Sequence, residues 1–121
     1  MILGFKEQFV KKIKSGYKIH TIRADKHGRW KEGNTIHFAT GVRTKMYKQF
    51  GGGVCRGVQK IKISYKCVRG ITVWIDDKVL AQTVELQRLA RNDGFNSLAE
   101  FVKWFNKDFE GKIIHWTKYR Y

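Results

Sequence analysis

The stretch GYKIHTIR, residues 16–23, crowds Lys18, His20, Thr21 and Arg23 into chain that should enter a half-buried strand. A threonine hydroxyl becomes a nucleophile only when a base takes its proton. A lysine serves as that base only when burial or neighbouring cations draw its pKa toward neutral. With 25 Lys and Arg against 10 Asp and Glu, such lowering is within reach of Lys18. Arg23 suits a phosphate or a developing oxyanion. Residues three apart on a regular strand face opposite ways, so Lys18 has to sit in the turn before the strand, which Gly16 permits. Read without chemistry, the same residues are a solvated turn lysine, a β-branched strand residue and an arginine paired with a carboxylate such as Asp25. Only geometry separates the two readings. His20, His27, His37 and His115 have no spacing that favours a metal.

The elements that must position these groups follow from periodicity. Phe5, Phe9 and Ile13 recur at helical spacing opposite a face of lysines, and Ser15-Gly16 ends that helix. Trp30 to Asn34 reads as a turn into a strand, Thr35 to Ala39. Val58 to Trp74 alternates as two strands with a turn near Lys66 to Gly70. Leu80, Val84, Leu86 and Leu89 describe a second helix ending at Asn92-Asp93-Gly94. Ser97 and Glu100 form a capping box that opens a third, and Ile113 to Tyr119 makes a last strand. Asp76-Asp77 is a solvated turn.

At 121 residues, 42% hydrophobic and without proline, the chain is one domain, 1–121. Its formal charge of +15 attracts polyanions such as RNA or DNA. No apolar run is long enough to span a bilayer, and no membrane partner is expected. The N-terminus lacks signal-peptide features, which sets a cytoplasmic expectation, with Cys55 and Cys67 as buried reduced thiols.

Between about residues 40 and 57 lies a basic, glycine-rich stretch that reads as a long loop or hairpin tip. Arg43, Lys45, Tyr47, Lys48 and Phe50 alternate charge with aromatic groups around Gly51-Gly52-Gly53, and Arg56 follows. Cations for phosphates and aromatic faces for bases are what single-stranded RNA requires. Trp30, between Arg29 and Lys31, is a further stacking candidate. The stretch lacks GxxxxGK[ST], so it is no nucleotide-hydrolysing loop, and no paired carboxylates suggest a metal nuclease.

The order of parts resembles the ASCH family of PUA-like domains: a leading amphipathic helix, SGYKIHTIR, a W-x-x-G-N turn into a strand, then RNDGFNSLAEFVKWF before a final strand. The resemblance covers most of the chain apart from the basic loop. It implies an α+β fold, a small PUA-like β-barrel of bent mixed sheet with two or three flanking α-helices. It also implies action on, or binding of, RNA or its nucleosides. Some small members resemble amidohydrolases that remove the acetyl group of N4-acetylcytidine with a lysine, a threonine and an acidic residue. The motif places these at Lys18, at Thr21 and near Asp93, where an aspartate stands for a glutamate at slightly different spacing.

Two functions are therefore expected, the first being an RNA-binding domain that holds single-stranded RNA or a nucleobase in a basic cleft. Arg23, Trp30, Arg43, Lys45, Tyr47, Lys48 and Arg56 would line it, and the charge favours it because a free nucleoside carries no phosphate. The alternative is an amidohydrolase acting on N4-acetylcytidine or a related nucleoside through Lys18, Thr21 and Asp93. The expected partner is RNA or a modified nucleoside, with DNA compatible. No cofactor and no metal are expected.

Overall fold

A computed structural model describes residues 1–68 and 70–121. Among the described residues it is an α+β fold of eight strands in two sheets. The smaller sheet has β1 (Ile2–Gly4) parallel to β3 (Thr35–Thr40), which pairs antiparallel with β4 (Lys48–Val54). The larger is antiparallel, in the order β2 (His20–Arg23), β8 (Phe109–His115), β5 (Gly57–Cys67), β6 (Gly70–Ile75) and β7 (Lys78–Val79). Among the described residues the strand ladders stay in two separate sheets and do not close into one barrel. The expected turn between β5 and β6 includes position 69, which lies outside the described residues.

The leading helix is shorter than its periodicity suggests: a 3-10 turn over Glu7–Phe9 runs into α1 (Val10–Lys14). Helices α2 (Thr83–Asn92) and α3 (Leu98–Trp104) lie between β7 and β8. Leu89 and Phe101 join Ile36, Ile61, Ile63, Val73 and Ile113 in one continuous core. Ser97 Oγ accepts the Glu100 amide at 3.2 Å as the capping motif requires, while the Glu100 carboxylate accepts from the Asn96 amide at 2.7 Å.

The glycine-rich stretch is not one loop. Residues Lys48–Val54 form β4, with Gly51, Gly52 and Gly53 opposite Phe38, His37 and Ile36. A Cβ on Gly51 or Gly53 would stand in ordinary van der Waals contact with the Phe38 ring, at 3.5 Å, so that ring covers both glycines. Phe50 stacks against Phe38 at 6.1 Å between centroids, which turns it toward the core rather than toward a ligand. The true turn is residues 41–47, tightened by Gly41 and by Arg43, whose φ of 64° is left-handed. Cys55 is buried as expected, but Cys67, at the end of β5, is exposed. Asp76 and Asp77, both left-handed, make the two-residue β6–β7 hairpin.

Candidate active site

Two pieces of chain distant in sequence build the site. Lys18 stands in the linker ahead of β2, fixed by its amide to Lys12 O and by the Ile19 amide to Asn92 O, each at 2.9 Å. β2 follows at the free edge of the five-stranded sheet, in register with β8 from His20 opposite His115 to Arg23 opposite Lys112. Alternation sends Thr21 and Arg23 to one face and His20 and Ile22 to the other. The position of Lys18 before the strand removes the geometric obstacle to its sharing a site with Thr21.

The second piece is the C-terminal end of α2. The Phe95 amide reaches Ala90 O and the Gly94 amide reaches Arg91 O, each at 3.0 Å, a Schellman motif with left-handed Gly94 at φ 96°. This stop presents Asp93, immediately before it, to the linker. Lys18 Nζ donates to Asp93 O at 2.5 Å and to Asp93 Oδ1 at 3.2 Å, and both residues are almost fully buried.

A cleft of about 330 Å³ opens beside the pair, with Lys18, Thr21, Arg23 and Asp93 in its wall. Phe5, Phe9, Phe95 and Trp104 supply its aromatic lining. Lys18 Nζ lies 5.0 Å from the Phe9 ring centroid and 5.6 Å from that of Phe5. Burial draws the Lys18 pKa down to about 8; Asp93 opposes the shift, while the Arg23 and Lys12 charges add to it. Arg23 donates to Gly4 O at 2.6 Å and lies over Phe5 at 5.1 Å, rather than pairing with Asp25. Burial lowers its pKa as well, yet a guanidinium keeps its charge. Asp25 instead accepts from the Arg29 amide and lies 3.8 Å from Lys112.

The remaining expected residues lie elsewhere. Arg43, Lys45, Tyr47 and Lys48 are exposed around the β3–β4 turn, whose Val42 lines the cleft. Arg56 is at the opposite end of β4, in a groove with Glu32, Lys118 and Arg120. Trp30 packs on the edge of the core. Wider surface grooves exist, one of about 1040 Å³ lined by Lys60, Lys62 and Trp74, but none of them contains Lys18, Thr21 or Asp93. Among the described residues no three His, Cys, Asp or Glu side chains gather as metal ligands, and no helix is long and apolar enough to cross a membrane.

Sequence reasoning missed His20, Asn92 and Tyr121. His20 is fully buried, with Nδ1 3.2 Å from Asp93 Oδ1 and Nε2 2.6 Å from the Tyr121 hydroxyl, which Asn92 Nδ2 also reaches at 3.0 Å. The alternation of β2 could have set His20 opposite Thr21, but its partners lie 73 and 101 residues away. Comparison with family models, with curated proteins and with solved structures finds no match to this chain.

Proposed function

We propose that the cleft is the active site of an amidohydrolase that deacetylates N4-acetylcytidine or a related acylated nucleoside. The observation that carries this reading is the meeting of buried Lys18 and Asp93 in the wall of the cleft that Thr21 lines. A cleft of about 330 Å³ is near the lower end of small-molecule sites, roughly 300–1,000 Å³, and suits one nucleoside. The aromatic walls stack the base. Thr21 Oγ attacks the acetyl carbon and its proton passes to neutral Lys18, while Arg23 faces the developing oxyanion. The C–N bond then breaks, Lys18 returns the proton to the leaving exocyclic amine, and water hydrolyses the acyl-threonine. With a pKa of about 8, about a tenth of Lys18 is neutral at pH 7. Asp93 holds the amine in place through its main-chain oxygen and Oδ1.

The fold reading that accompanies this is a PUA-like barrel of the ASCH kind, supported by two sheets that share one core. The reading keeps the protein in the cytoplasm with reduced thiols. A second reading, an RNA-binding domain that grips without chemistry, is favoured by one separate observation. The exposed Arg43, Lys45, Tyr47 and Lys48 flank the rim residue Val42, so a strand on that turn would run past the cleft mouth.

Incubation with N4-acetylcytidine, free and within a short RNA, decides between them. Cytidine release that is lost in Thr21→Val establishes the hydrolase. No release from either substrate, with salt-sensitive RNA binding intact, leaves the RNA-binding reading.

A further inference from the structure

The Lys18–Asp93 pair is the front of a longer buried chain of hydrogen bonds. Each link in it has one direction. The Asp93 carboxylate accepts, so His20 Nδ1 carries a proton and donates to Oδ1. Burial holds the His20 pKa down, so the ring is neutral and Nε2 is a bare acceptor. The Tyr121 hydroxyl fills it at 2.6 Å, and the phenol oxygen in turn accepts from Asn92 Nδ2. The other tautomer would set a bare Nδ1 against a carboxylate oxygen and leave the phenol proton without an acceptor.

Tyr121 is itself held from two sides. Its backbone amide donates to Gln59 Oε1 at 3.1 Å, and Gln59 Nε2 donates to Tyr121 O at 3.2 Å. Its ring meets His20 at 5.5 Å between centroids. The groups facing His20 are Asp93, Lys18, Tyr121 and His115, whose ring lies 5.3 Å away; those facing Lys18 are Asp93, Arg23 and Lys12.

We propose that Tyr121 is a positioning residue for the site: its hydroxyl fills His20 Nε2 and anchors the ring whose Nδ1–H binds one Asp93 carboxylate oxygen, and so sets the place and charge balance of Lys18. This deepens the hydrolase reading and rests on it for its functional meaning, but the geometry can be tested without turnover. In the network Asp93 Oδ1 is shared between His20 and Lys18. Loss of the phenol hydroxyl leaves the ring held at Nδ1 only, so its grip on Asp93 Oδ1 loosens and Asp93 acts more strongly on Lys18.

The test is NMR of the full chain with isotope-labelled histidine and lysine. In the wild type, His20 is expected as the neutral Nδ1–H tautomer at and above about pH 7. A cationic or Nε2–H ring there overturns the proposal without any variant. Tyr121→Phe keeps the ring and removes the hydroxyl. In it, Nε2 loses its donor and its resonance is expected to shift while Nδ1 keeps its proton, and the Lys18 titration is expected to move upward by about half a unit or more. An unchanged or lowered Lys18 titration in folded Tyr121→Phe overturns the proposal. An inactive wild type with both NMR results in place ends the hydrolase reading alone. An active wild type whose Lys18 ignores Tyr121 ends the positioning role alone.

Discussion

Lys18 Nζ reaches both the main-chain oxygen and the carboxylate of Asp93, at 2.5 and 3.2 Å, across 75 residues of sequence. The two acceptors fix the amine in position, while burial, against the pull of Asp93, holds its pKa down.

The first consequence is energetic. Lys18→Met keeps the length of the side chain but leaves Asp93 without its cation, and is expected to cost about 3–5 kcal/mol in urea unfolding. Adding Asp93→Asn removes the stranded charge, so the double variant should be more stable than the sum of the two single losses.

The second is the pH profile. As a general base Lys18 works neutral, so turnover per enzyme is expected to rise as pH passes through about 8 and then level. The folded pKa lies below the unfolded 10.5, so between about 8 and 10.5 the unfolded chain binds more protons. Stability should therefore increase with pH across that window, and Lys18→Met should remove the increase.

At the acid end the histidines act. His115 is drawn down to about 3, chiefly by burial and further by the Arg120 charge and by repulsion from His20 once that ring takes up a proton, and burial lowers His20 as well. Below the unfolded value of 6.5 the unfolded state takes up protons that the folded state refuses. Thermal stability should fall from pH 6.5 toward 3, by up to about 1.4 kcal/mol per unit from His115, with His20 adding to the fall. His115→Asn is expected to flatten part of that slope.

Gly94 carries two constraints at once. Its φ of 96° disfavours any side chain, and a Cβ there would sit 2.9 Å from Lys18 Cδ and 3.0 Å from Phe9 Cδ1. Gly94→Ala should cost about 1–2 kcal/mol for the backbone alone and should also displace Lys18. The check is a fall in turnover larger than the stability loss explains.

The basic turn is expected to serve polymer and not nucleoside. Replacing Arg43, Lys45 and Lys48 by Ala should weaken RNA binding and lower its salt slope by roughly 2. Release of cytidine from free N4-acetylcytidine should stay unchanged. Arg56→Ala, at the far end of β4, should leave the salt slope as it was.

Local signals made some of the molecule legible from its letters. Ser97 and Glu100 marked the start of α3, Asn92-Asp93-Gly94 the end of α2, and Gly16 the linker that carries Lys18. β1 was missed because three residues hold no periodicity, and it is fixed by parallel pairing with β3. β4 was missed because glycine ordinarily weakens a strand; here the Phe38 ring supplies the packing the glycines lack. The partnership of His20 with Tyr121 depends on closure of β8 against β2, and no spacing within either segment encodes it.

The Ile19 amide, bonded to Asn92 O, is a backbone link between the Lys18 linker and the end of α2. The link lies one residue from each partner, so opening it loosens the hold between amine and carboxylate. The rate at which the Ile19 proton exchanges with solvent would then read the fraction of molecules in which the site is assembled, with no substrate present.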